Sequence, residues 1–209
     1  TPVAIMVANG VGAKHEILFK TAESLEETGK VQMIALDKTG TITQGTPKVT
    51  DLLPANGTTE EQLLALAYAL ERKSEHPLAK AILQKAEEAQ LPAEEVQEFQ
   101  VHAGHGLSAV QNGAALYGGN LAFIQSYAAV SPEMKQAAEQ LSEDGKTPLF
   151  FCRDGVCSGI IAVADVIKAD SPQAVRELQN MGIHVVMLTG DHKKTAEAIR
   201  RQVGVDRVV

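Results

Sequence analysis

The stretch that most constrains the fold is VQMIALDKTGTITQ, residues Val31–Gln44. It opens with an apolar run, Val31–Leu36, and Asp37 follows at once. A short apolar run bounded by turn-forming residues predicts a buried parallel strand, and open α/β sheets bind ligands beyond the carboxyl ends of their strands. Asp37 therefore comes where a carboxylate would meet a phosphate group.

The residues after Asp37 suit a phosphate. Lys38 supplies positive charge, Gly40 allows close backbone approach, and the hydroxyls of Thr39 and Thr41 can hold phosphate oxygens. A lone aspartate after a strand is usually a helix cap or turn residue, but the pentapeptide DKTGT behind an apolar run resembles the phosphorylation motif of the P-type ATPases. Nearly the whole chain resembles a heavy-metal-pumping, copper-type member of that family.

Length and composition narrow the function classes. With 209 residues, 44% of them hydrophobic, the chain can bury one large core or two small ones. A net charge of −7, an aromatic content of 4% and the lack of Trp argue against a nucleic-acid partner. The two cysteines, Cys152 and Cys157, are too few for a disulfide framework and fit a reducing compartment.

A second polar loop follows another predicted strand, His184–Leu188. Thr189-Gly190-Asp191 comes at the carboxyl end of this strand, and a helix is predicted over Lys193–Val203. Taken alone, Asp191 could be a plain helix cap. Together with DKTGT the signal is strong, because two neighbouring parallel strands would deliver both loops to one edge of a sheet.

The resemblance implies a haloacid-dehalogenase-like fold and its phosphoryl-transfer chemistry. Asp37 would be the nucleophile that takes the γ-phosphoryl group of ATP as an aspartyl phosphate. The Asp37 carboxylate and the Thr39 backbone carbonyl would help to hold Mg²⁺, which neutralises developing charge. The full set of implied catalytic residues is Asp37, Lys38, Thr39, Thr189, Gly190 and Asp191.

Thr39 has a physical consequence of its own. Phosphatases of this superfamily carry a second aspartate two positions after the nucleophile, as the general acid/base for hydrolysis. Thr39 occupies that position here, and its hydroxyl cannot take a proton from water at neutral pH. We therefore expect a phosphoenzyme that persists long enough for a pump to change shape.

The middle of the chain carries motifs that resemble the nucleotide pocket of heavy-metal pumps. SEHPLAKAI, residues 74–82, resembles their His-Pro motif, which implies that His76 positions the adenine while Glu71 hydrogen-bonds it. Gly104-His105-Gly106 resembles their Gly-x-Gly loop, in which missing side chains let base and ribose lie close to the backbone. The implied nucleotide-binding residues are Glu71, His76, Gly104, Gly106, Gly119 and Asn120.

The predicted elements define an α/β fold interrupted by an insertion. A strand and loop lie at one end, a helix–strand–helix unit lies at the other, and an antiparallel α+β segment separates them. We expect a connecting region over residues 1–29 and a phosphorylation domain split over 30–47 and 163–209. The inserted nucleotide-binding domain, with an antiparallel sheet, is expected over 48–162.

The resemblance also implies that the chain is a fragment, the cytoplasmic portion of an integral membrane protein. TPVAIMV at the start resembles the cytosolic end of a metal-binding transmembrane helix, without the Cys-Pro-Cys expected upstream. The family's Gly-Asp-Gly-x-Asn-Asp loop for Mg²⁺ is also not in the sequence. We therefore expect ATP binding with little autophosphorylation, and the pump's own transmembrane and actuator domains as partners.

Several functional alternatives stay open. The favoured function is ATP-driven export of copper(I), but the His-Pro motif also occurs in zinc and cadmium pumps. A haloacid-dehalogenase-type phosphatase with a cap domain is a rival of another class, against which Thr39 and His76-Pro77 count. A nucleotide-binding module without chemistry of its own is a third reading.

Two further residue pairs invite interpretation. Asp165 and Lys168 mark the return to the first domain and are predicted to be either hinge contacts or solvated charges. A type I′ turn at Asp154-Gly155 would place Cys152 directly opposite Cys157. Those thiols are expected to be inert apolar side chains, with a disulfide or copper(I) binding as alternatives.

Local signals predict the remaining elements. A connecting helix is expected over Val11–Gly29, and Thr58 with Glu61 has the spacing of a capping box at the start of the next helix. A helix is also expected over Leu121–Val130. Asn112-Gly113 predicts a tight hairpin between two strands.

Overall fold

The computed structural model describes residues 2–190 and 193–209, which contain two β-sheets. A parallel sheet has the strand order β1-β8-β9, and a six-stranded antiparallel sheet has the order β2-β7-β6-β5-β4-β3. The α/β fold with an antiparallel insertion is thereby confirmed. The strands are β1 Met33–Asp37, β2 Thr43–Pro54, β3 Gln97–His102, β4 Gly106–Gln111, β5 Ala114–Gly119, β6 Thr147–Arg153, β7 Val156–Ile167, β8 His184–Leu188 and β9 Arg207–Val208.

Helices cover parts of both sheets. Across the described ranges, none is long and apolar enough to cross a membrane. A short π-type turn, Lys38–Ile42, links β1 to β2. The α-helices are α1 Pro2–Lys14, α2 Ala22–Thr28, α3 Glu60–Glu71, α4 Pro77–Glu88, α5 Leu121–Ile124, α6 Pro132–Glu143, α7 Ser171–Asn180 and α8 Lys193–Val203.

The parallel sheet brings the two predicted loops to one edge. β1 pairs with β8 in register, with Asp37 opposite Leu188, so both loops leave the same end of the sheet. The prediction of a buried β1 is only half right, because its residues alternate between exposed and half-buried positions. Ile34 and Leu36 pack against a core of Val175, Val185, Met187 and Ile199, whereas Met33 on the other face is exposed.

The antiparallel sheet buries a core on each face, as the period of two in β6 and β7 dictates. Phe151 and Ile161 face α3 and α4, whose buried residues include Leu63, Leu70 and Ile82. Their neighbours along the strands, Phe150 and Ile160, face the opposite way, toward α5 and α6. These two layers hold the inserted segment together.

Strands β2 and β7 connect the two sheets. They are twelve residues each and pair with one another along most of their length. Both predicted domain boundaries, 47/48 and 162/163, fall inside this pair, where Lys48 lies opposite Ala164 and Val49 opposite Val163. The two boundaries therefore cut the paired strands β2 and β7 at nearly the same position along their length. The division into domains stays a prediction.

The N-terminal region differs from the predicted connecting helix. Two helices, α1 and α2, replace the single helix expected over Val11–Gly29. Helix α1 ends in a Schellman-type cap in which the Ile17 N–H donates to Gly12 O (2.9 Å) and Glu16 takes a positive φ of 61°. Most of the predicted range is helical, but the cap at the end of α1 interrupts the helix before α2 begins.

Two further local predictions shift in detail. The capping box of α3 uses Thr59 and Gln62 rather than Thr58 and Glu61, because Thr58 is held in a turn by the carbonyl of Ala55. The helix expected over Leu121–Val130 is a single turn, α5.

The chain leaves α5 early because a packing contact requires a turn there. After α5 it bends so that Tyr127 stacks on Tyr117, with ring centroids 3.9 Å apart. Ala129 then forms a parallel bridge with Val156. These contacts are distant in sequence and override the helical pattern.

Both predicted hairpins are confirmed. Asn112 and Gly113 have φ values of 51° and 82°, and Asp154 and Gly155 have 48° and 79°, the positive angles of a type I′ turn. Cys152 lies opposite Cys157.

Candidate functional site

Asp37 is the last residue of β1 and is exposed at the sheet edge. The chain then folds back through the π-type turn, in which Gly40 takes a φ of 77° that other residues rarely adopt. The buried hydroxyl of Thr43 lies 2.9 Å from the Lys38 carbonyl oxygen and accepts a hydrogen bond from Gly40 N–H (3.4 Å). The DKTGT loop is thus closed by its own backbone and Thr43.

The start of the C-terminal segment anchors this loop. Asp165 accepts hydrogen bonds from the Thr43 hydroxyl (2.5 Å) and the Gly45 N–H (2.9 Å). The Lys168 ammonium donates to the Gly40 carbonyl (2.8 Å), and the Ser171 hydroxyl donates to Ile42 O (2.8 Å). Asp165 and Lys168 are therefore contacts of the DKTGT loop rather than solvated charges, which resolves the two readings of the sequence.

The second loop leaves β8 beside Asp37. Thr189 follows directly after Leu188, and its N–H donates to the carbonyl of Val209 (3.1 Å). Gly190 comes next and has open space at its Cα. Asp191, the last predicted residue of this loop, lies outside the described residues.

A cavity of about 270 Å³ collects all the predicted nucleotide-site residues. It lies where the end of α3, the start of α4 and the β3–β4 and β5–α5 connections meet. Pockets of roughly 300 Å³ and above are typical of small-molecule sites. The predicted residues along its wall are Glu71, His76, Gly104, Gly106, Gly119 and Asn120.

His76 owes its place to the start of α4. The Nδ1 of His76 accepts a hydrogen bond from the Leu78 N–H (3.2 Å), so the imidazole caps the helix that Pro77 begins. The His76 N–H donates to the Ser74 hydroxyl (3.3 Å). With Nδ1 engaged, the Nε2 edge is the part of the ring left to meet a ligand.

The glycines along the cavity serve two different needs. Gly106 and Gly119 are paired across β4 and β5, and a Cβ on Gly106 would meet the Gly118 carbonyl oxygen at 2.3 Å. The close packing of β4 against β5 therefore requires glycine at these two positions, independently of any ligand in the cavity. Gly104 instead has open space around its Cα and a φ of 74°, which keeps the loop backbone accessible to a ligand.

Asn120 ties this wall together. Its side-chain oxygen accepts from the Phe123 N–H (2.9 Å), and its amide nitrogen donates to the Gly104 carbonyl (3.2 Å). The side chain thus caps α5 and fixes the Gly-x-Gly loop at the same time.

Among the described residues that line the cavity, Glu71 is the one buried carboxyl group, with 7% of its surface exposed. Burial raises the pKa of Glu71 to about 7, an effect that a hydrogen bond with the Ser74 side chain partly offsets. Near neutral pH this carboxyl group is therefore divided between its protonated and ionised forms. It can present a donor or an acceptor to a ligand.

Sequence reasoning missed the apolar part of the cavity. Val101 and Leu107 lie opposite each other on β3 and β4, and Leu78 and Leu149 complete the apolar lining. Val101 is 65% exposed, so its apolar surface is open to a ligand at this cavity. For Val101 and Leu107, the signal available in the sequence was that they flank Gly104 and Gly106 closely.

The cysteine pair is shielded from solvent. Cys152 is buried and Cys157 half-buried, and both are free thiols. Burial, followed by the proximity of Cys157, raises the pKa of the Cys152 thiol to about 12, and burial also raises that of Cys157. Within residues 2–190 and 193–209, no group of three or more His, Cys, Asp and Glu side chains is placed to hold a metal ion.

A family model for haloacid dehalogenase-like hydrolases matches residues 31–209. The chain belongs to the haloacid dehalogenase-like hydrolases. The matched range includes both DKTGT and the loop after β8.

Among these hydrolases, the similar proteins are metal-transporting P-type ATPases. The chain is 40% identical over 208 residues to a copper-transporting P-type ATPase of Rhizobium leguminosarum bv. viciae, covering 100% of this chain and 25% of that protein. It is 44% identical over 210 residues to a probable copper-exporting P-type ATPase of Archaeoglobus fulgidus, covering 100% of this chain and 26% of that protein. The chain thus spans about a quarter of the length of the curated relatives it matches.

Solved structures agree with this relationship. A zinc-transporting PIB-type ATPase in the E2.Pi state superposes with a TM-score of 0.88 at 33% sequence identity, over 99% of this chain and 33% of that one. The catalytic domain of the CPx-ATPase CopB-B shares the fold, with a TM-score of 0.59 at 21% identity, over 92% of this chain and 67% of that one. The predicted relationship to heavy-metal P-type ATPases is confirmed.

Proposed function

We propose that this chain is the ATP-binding and aspartyl-phosphate-forming region of a copper(I)-translocating P-type ATPase. One observation carries the proposal: six residues chosen from sequence motifs alone, from Glu71 to Asn120, line a single cavity. The pairing of Asp37 with Leu188 at the edge of the parallel sheet supports a second site there, because Thr189 directly follows Leu188. One region to bind the nucleotide and another to accept its phosphoryl group is the division of labour that such a pump needs.

The cavity binds the adenosine part of ATP. The base lies against the apolar pair Val101 and Leu107, with His76 and Glu71 at its polar edge. Gly104 leaves its backbone open to the ribose, and Asn120 keeps that backbone in place. Protonated Glu71 donates a hydrogen bond to a ring nitrogen of the base, and ionised Glu71 accepts one from the exocyclic amine.

Asp37 accepts the γ-phosphoryl group. A carboxylate oxygen of Asp37 attacks phosphorus, the bond to the β-phosphate oxygen breaks, and ADP leaves with that electron pair. Lys38 on one loop and Thr189 and Gly190 on the other hold the transferring oxygens. Asp191 belongs to the same loop and completes the catalytic set.

Mg²⁺ fits the donor set at this edge. The Asp37 carboxylate is exposed at the end of β1, and Thr39 follows two residues later with an exposed, non-helical backbone (φ −76°, ψ 119°). Carboxylate and carbonyl oxygens are the ligands that Mg²⁺ prefers. Bound there, the cation would neutralise charge on the phosphate oxygens.

Thr39 favours a pump over a phosphatase with a cap domain. It offers no group that can serve as a general base near neutral pH, so the phosphorylated Asp37 is protected from immediate hydrolysis. A transport cycle uses that interval for the shape change that moves the metal. The observation thus favours the ATPase among the hydrolases of this family.

Copper(I) is the favoured cargo and export the favoured direction. Copper is the metal in the names of several similar relatives. The one from Archaeoglobus fulgidus is named a probable copper-exporting ATPase, and the one from Enterococcus hirae a probable copper-importing ATPase. Zinc is the alternative, since the matching PIB-type structure is a zinc transporter. We further propose that the chain is the cytoplasmic part of a membrane protein, with transmembrane and actuator domains as its partners.

An NMR titration with ATP tests the nucleotide site. We expect shifts of the amides of Glu71, His76, Gly104 and Gly106, with an affinity in the high-micromolar to millimolar range, roughly −4 to −6 kcal/mol. Shifts around Asp37 with none at those four residues would sink the proposed site.

A further inference from the structure

A second cavity lies at the other end of α3 from the nucleotide site. It has a volume of about 350 Å³ and is bordered by the start of α3, the loop before β3, the end of β4 and the β6–β7 hairpin. Gln62 in the first turn of α3 lines this cavity, whereas Glu71 at its last residue lines the nucleotide cavity. Gln62 and Glu71 are nine residues apart, which is about 14 Å along the helix.

We call this second site the distal cavity, defined by Gln62, Leu66, Glu94, Gln111, Arg153 and Ser158. Ser158 is 8% exposed, and its hydroxyl has no hydrogen-bond partner among the described residues. Yet no fully buried side-chain oxygen or nitrogen in the described part of the chain lacks a partner. The Ser158 hydroxyl is therefore not sealed in the core but reaches the cavity that Ser158 lines.

Gln111 presents a second such group. It is 6% exposed, and its amide nitrogen donates to the Glu94 carboxylate at 2.7 Å. That bond fixes which way the amide points and leaves its oxygen as an acceptor. By the same reasoning as for Ser158, this oxygen reaches the distal cavity.

Two side chains of opposite charge line the same cavity and do not form an ion pair with each other. Arg153 and Glu94 both border it, and across residues 2–190 and 193–209 neither forms an ion pair with the other or with another residue. Arg153 comes from the end of β6 and Glu94 from the loop before β3. Both residues are exposed, and the Glu94 carboxylate already accepts the Gln111 amide hydrogen bond. The cavity thus offers one guanidinium and one carboxylate, neither in an ion pair among the described residues, to one occupant.

We propose that the distal cavity binds a small zwitterion of amino-acid or dipeptide size. Its carboxylate pairs with the Arg153 guanidinium, whose planar fork matches a carboxylate in two hydrogen bonds. Its ammonium donates to Glu94 and to the Gln111 amide oxygen, and Ser158 hydrogen-bonds the centre of the molecule. Leu66 supplies an apolar wall for the aliphatic part.

The size of the cavity agrees with this class of ligand. At about 30 Å³ for each water, 350 Å³ corresponds to roughly a dozen waters, which is room for a dipeptide but little more. A simple anion or cation alone would leave one of the two charged side chains unpaired.

An NMR titration of the 209-residue chain with glycylglycine tests the proposal. We expect saturable shifts of the Gln111, Arg153 and Ser158 amides in the millimolar range. Acetate and methylammonium, which carry only one charge each, should bind at least tenfold more weakly. Saturation by acetate alone at the same concentration would make this an anion site and overturn the proposal, as would the lack of any saturable shift.

Two variants and a control sharpen the test. Arg153→Gln should weaken glycylglycine binding by about tenfold, and Ser158→Ala should weaken it severalfold. Arg176→Gln changes an exposed arginine on α7 that does not line the cavity, so binding should stay unchanged. ATP shifts at the nucleotide cavity report that each variant is folded. Equal glycylglycine binding by Arg153→Gln and Arg176→Gln would contradict the assigned role of Arg153.

Discussion

The Thr43 hydroxyl donates to the Asp165 carboxylate across 2.5 Å of space and 122 residues of sequence. Thr43 closes the DKTGT loop, and Asp165 stands in β7, where the chain returns from the antiparallel sheet to the parallel one. The same carboxylate holds the Gly45 N–H. The DKTGT loop is thus fixed by a residue from the far side of the insertion.

Asp165→Ala should destabilise the chain by about 1–3 kcal/mol, because it leaves the Gly45 N–H and the buried Thr43 hydroxyl without this acceptor. Urea unfolding followed by circular dichroism measures the change in the free energy of unfolding. Asp170→Ala is the matched control, since the Asp170 side chain makes no capping hydrogen bond at the start of α7. Equal stability of the two variants would contradict the anchoring role.

His76→Gln should weaken ATP binding severalfold by calorimetry, because the Nε2 edge of the imidazole is lost from the cavity. The Nδ1 cap of α4 is lost as well, at a cost of up to about 1 kcal/mol in stability. Lys38→Ala is the comparison. Lys38 lies in the DKTGT loop and does not line the cavity, so this substitution should leave the adenine contacts intact. An unchanged affinity in His76→Gln would exclude His76 from the nucleotide site.

Glu71 should make stability depend on pH. Below pH 4.5 the carboxyl group is protonated in both the folded and the unfolded chain. Between 4.5 and about 7 the unfolded chain releases this proton while the folded chain keeps it, so the free energy of unfolding falls as pH rises.

Glu71→Gln should remove this dependence, which amounts to on the order of 2 kcal/mol. Denaturant titrations at pH 5 and at pH 8 measure it, with Glu61→Gln, an exposed change on the same helix, as the control. A slope that survives in Glu71→Gln would show that another group is responsible.

Asp37→Asn should abolish acid-stable labelling by γ-labelled ATP in a full-length pump that contains this region, because the amide is not a nucleophile. The 209-residue chain by itself should take up little label, since its sequence contains no Gly-Asp-Gly-x-Asn-Asp loop. Label retained by Asp37→Asn in the full-length protein would mean that another residue accepts the phosphoryl group.

Cys152 and Cys157 should resist thiol reagents in the folded chain. Burial keeps both thiols protonated at neutral pH, and the thiolate is the reactive form. Titration with a chromogenic disulfide should therefore find both thiols only after denaturant is added. Rapid labelling of both in the native chain, blocked by copper(I), would favour the metal-binding alternative.

The sequence alone determined the features that depend on neighbouring residues. The type I′ turns at Asn112-Gly113 and Asp154-Gly155, the strand His184–Leu188 and the helix that Pro77 begins all follow from local turn chemistry and periodicity. The candidate site residues came from short, contiguous motifs that resemble those of heavy-metal pumps, and their roles stay predictions.

Only the tertiary structure decided how those pieces meet. The stacking of Tyr127 on Tyr117 ends α5 after one turn, and no local sequence pattern predicts that contact. The contact of Asp165 with the DKTGT loop depends on a pairing between distant strands, and the place of Val101 and Leu107 on the wall of the candidate cavity depends on the pairing of β3 with β4. Such contacts are fixed by packing free energy over the whole sheet, which a single stretch of sequence does not contain.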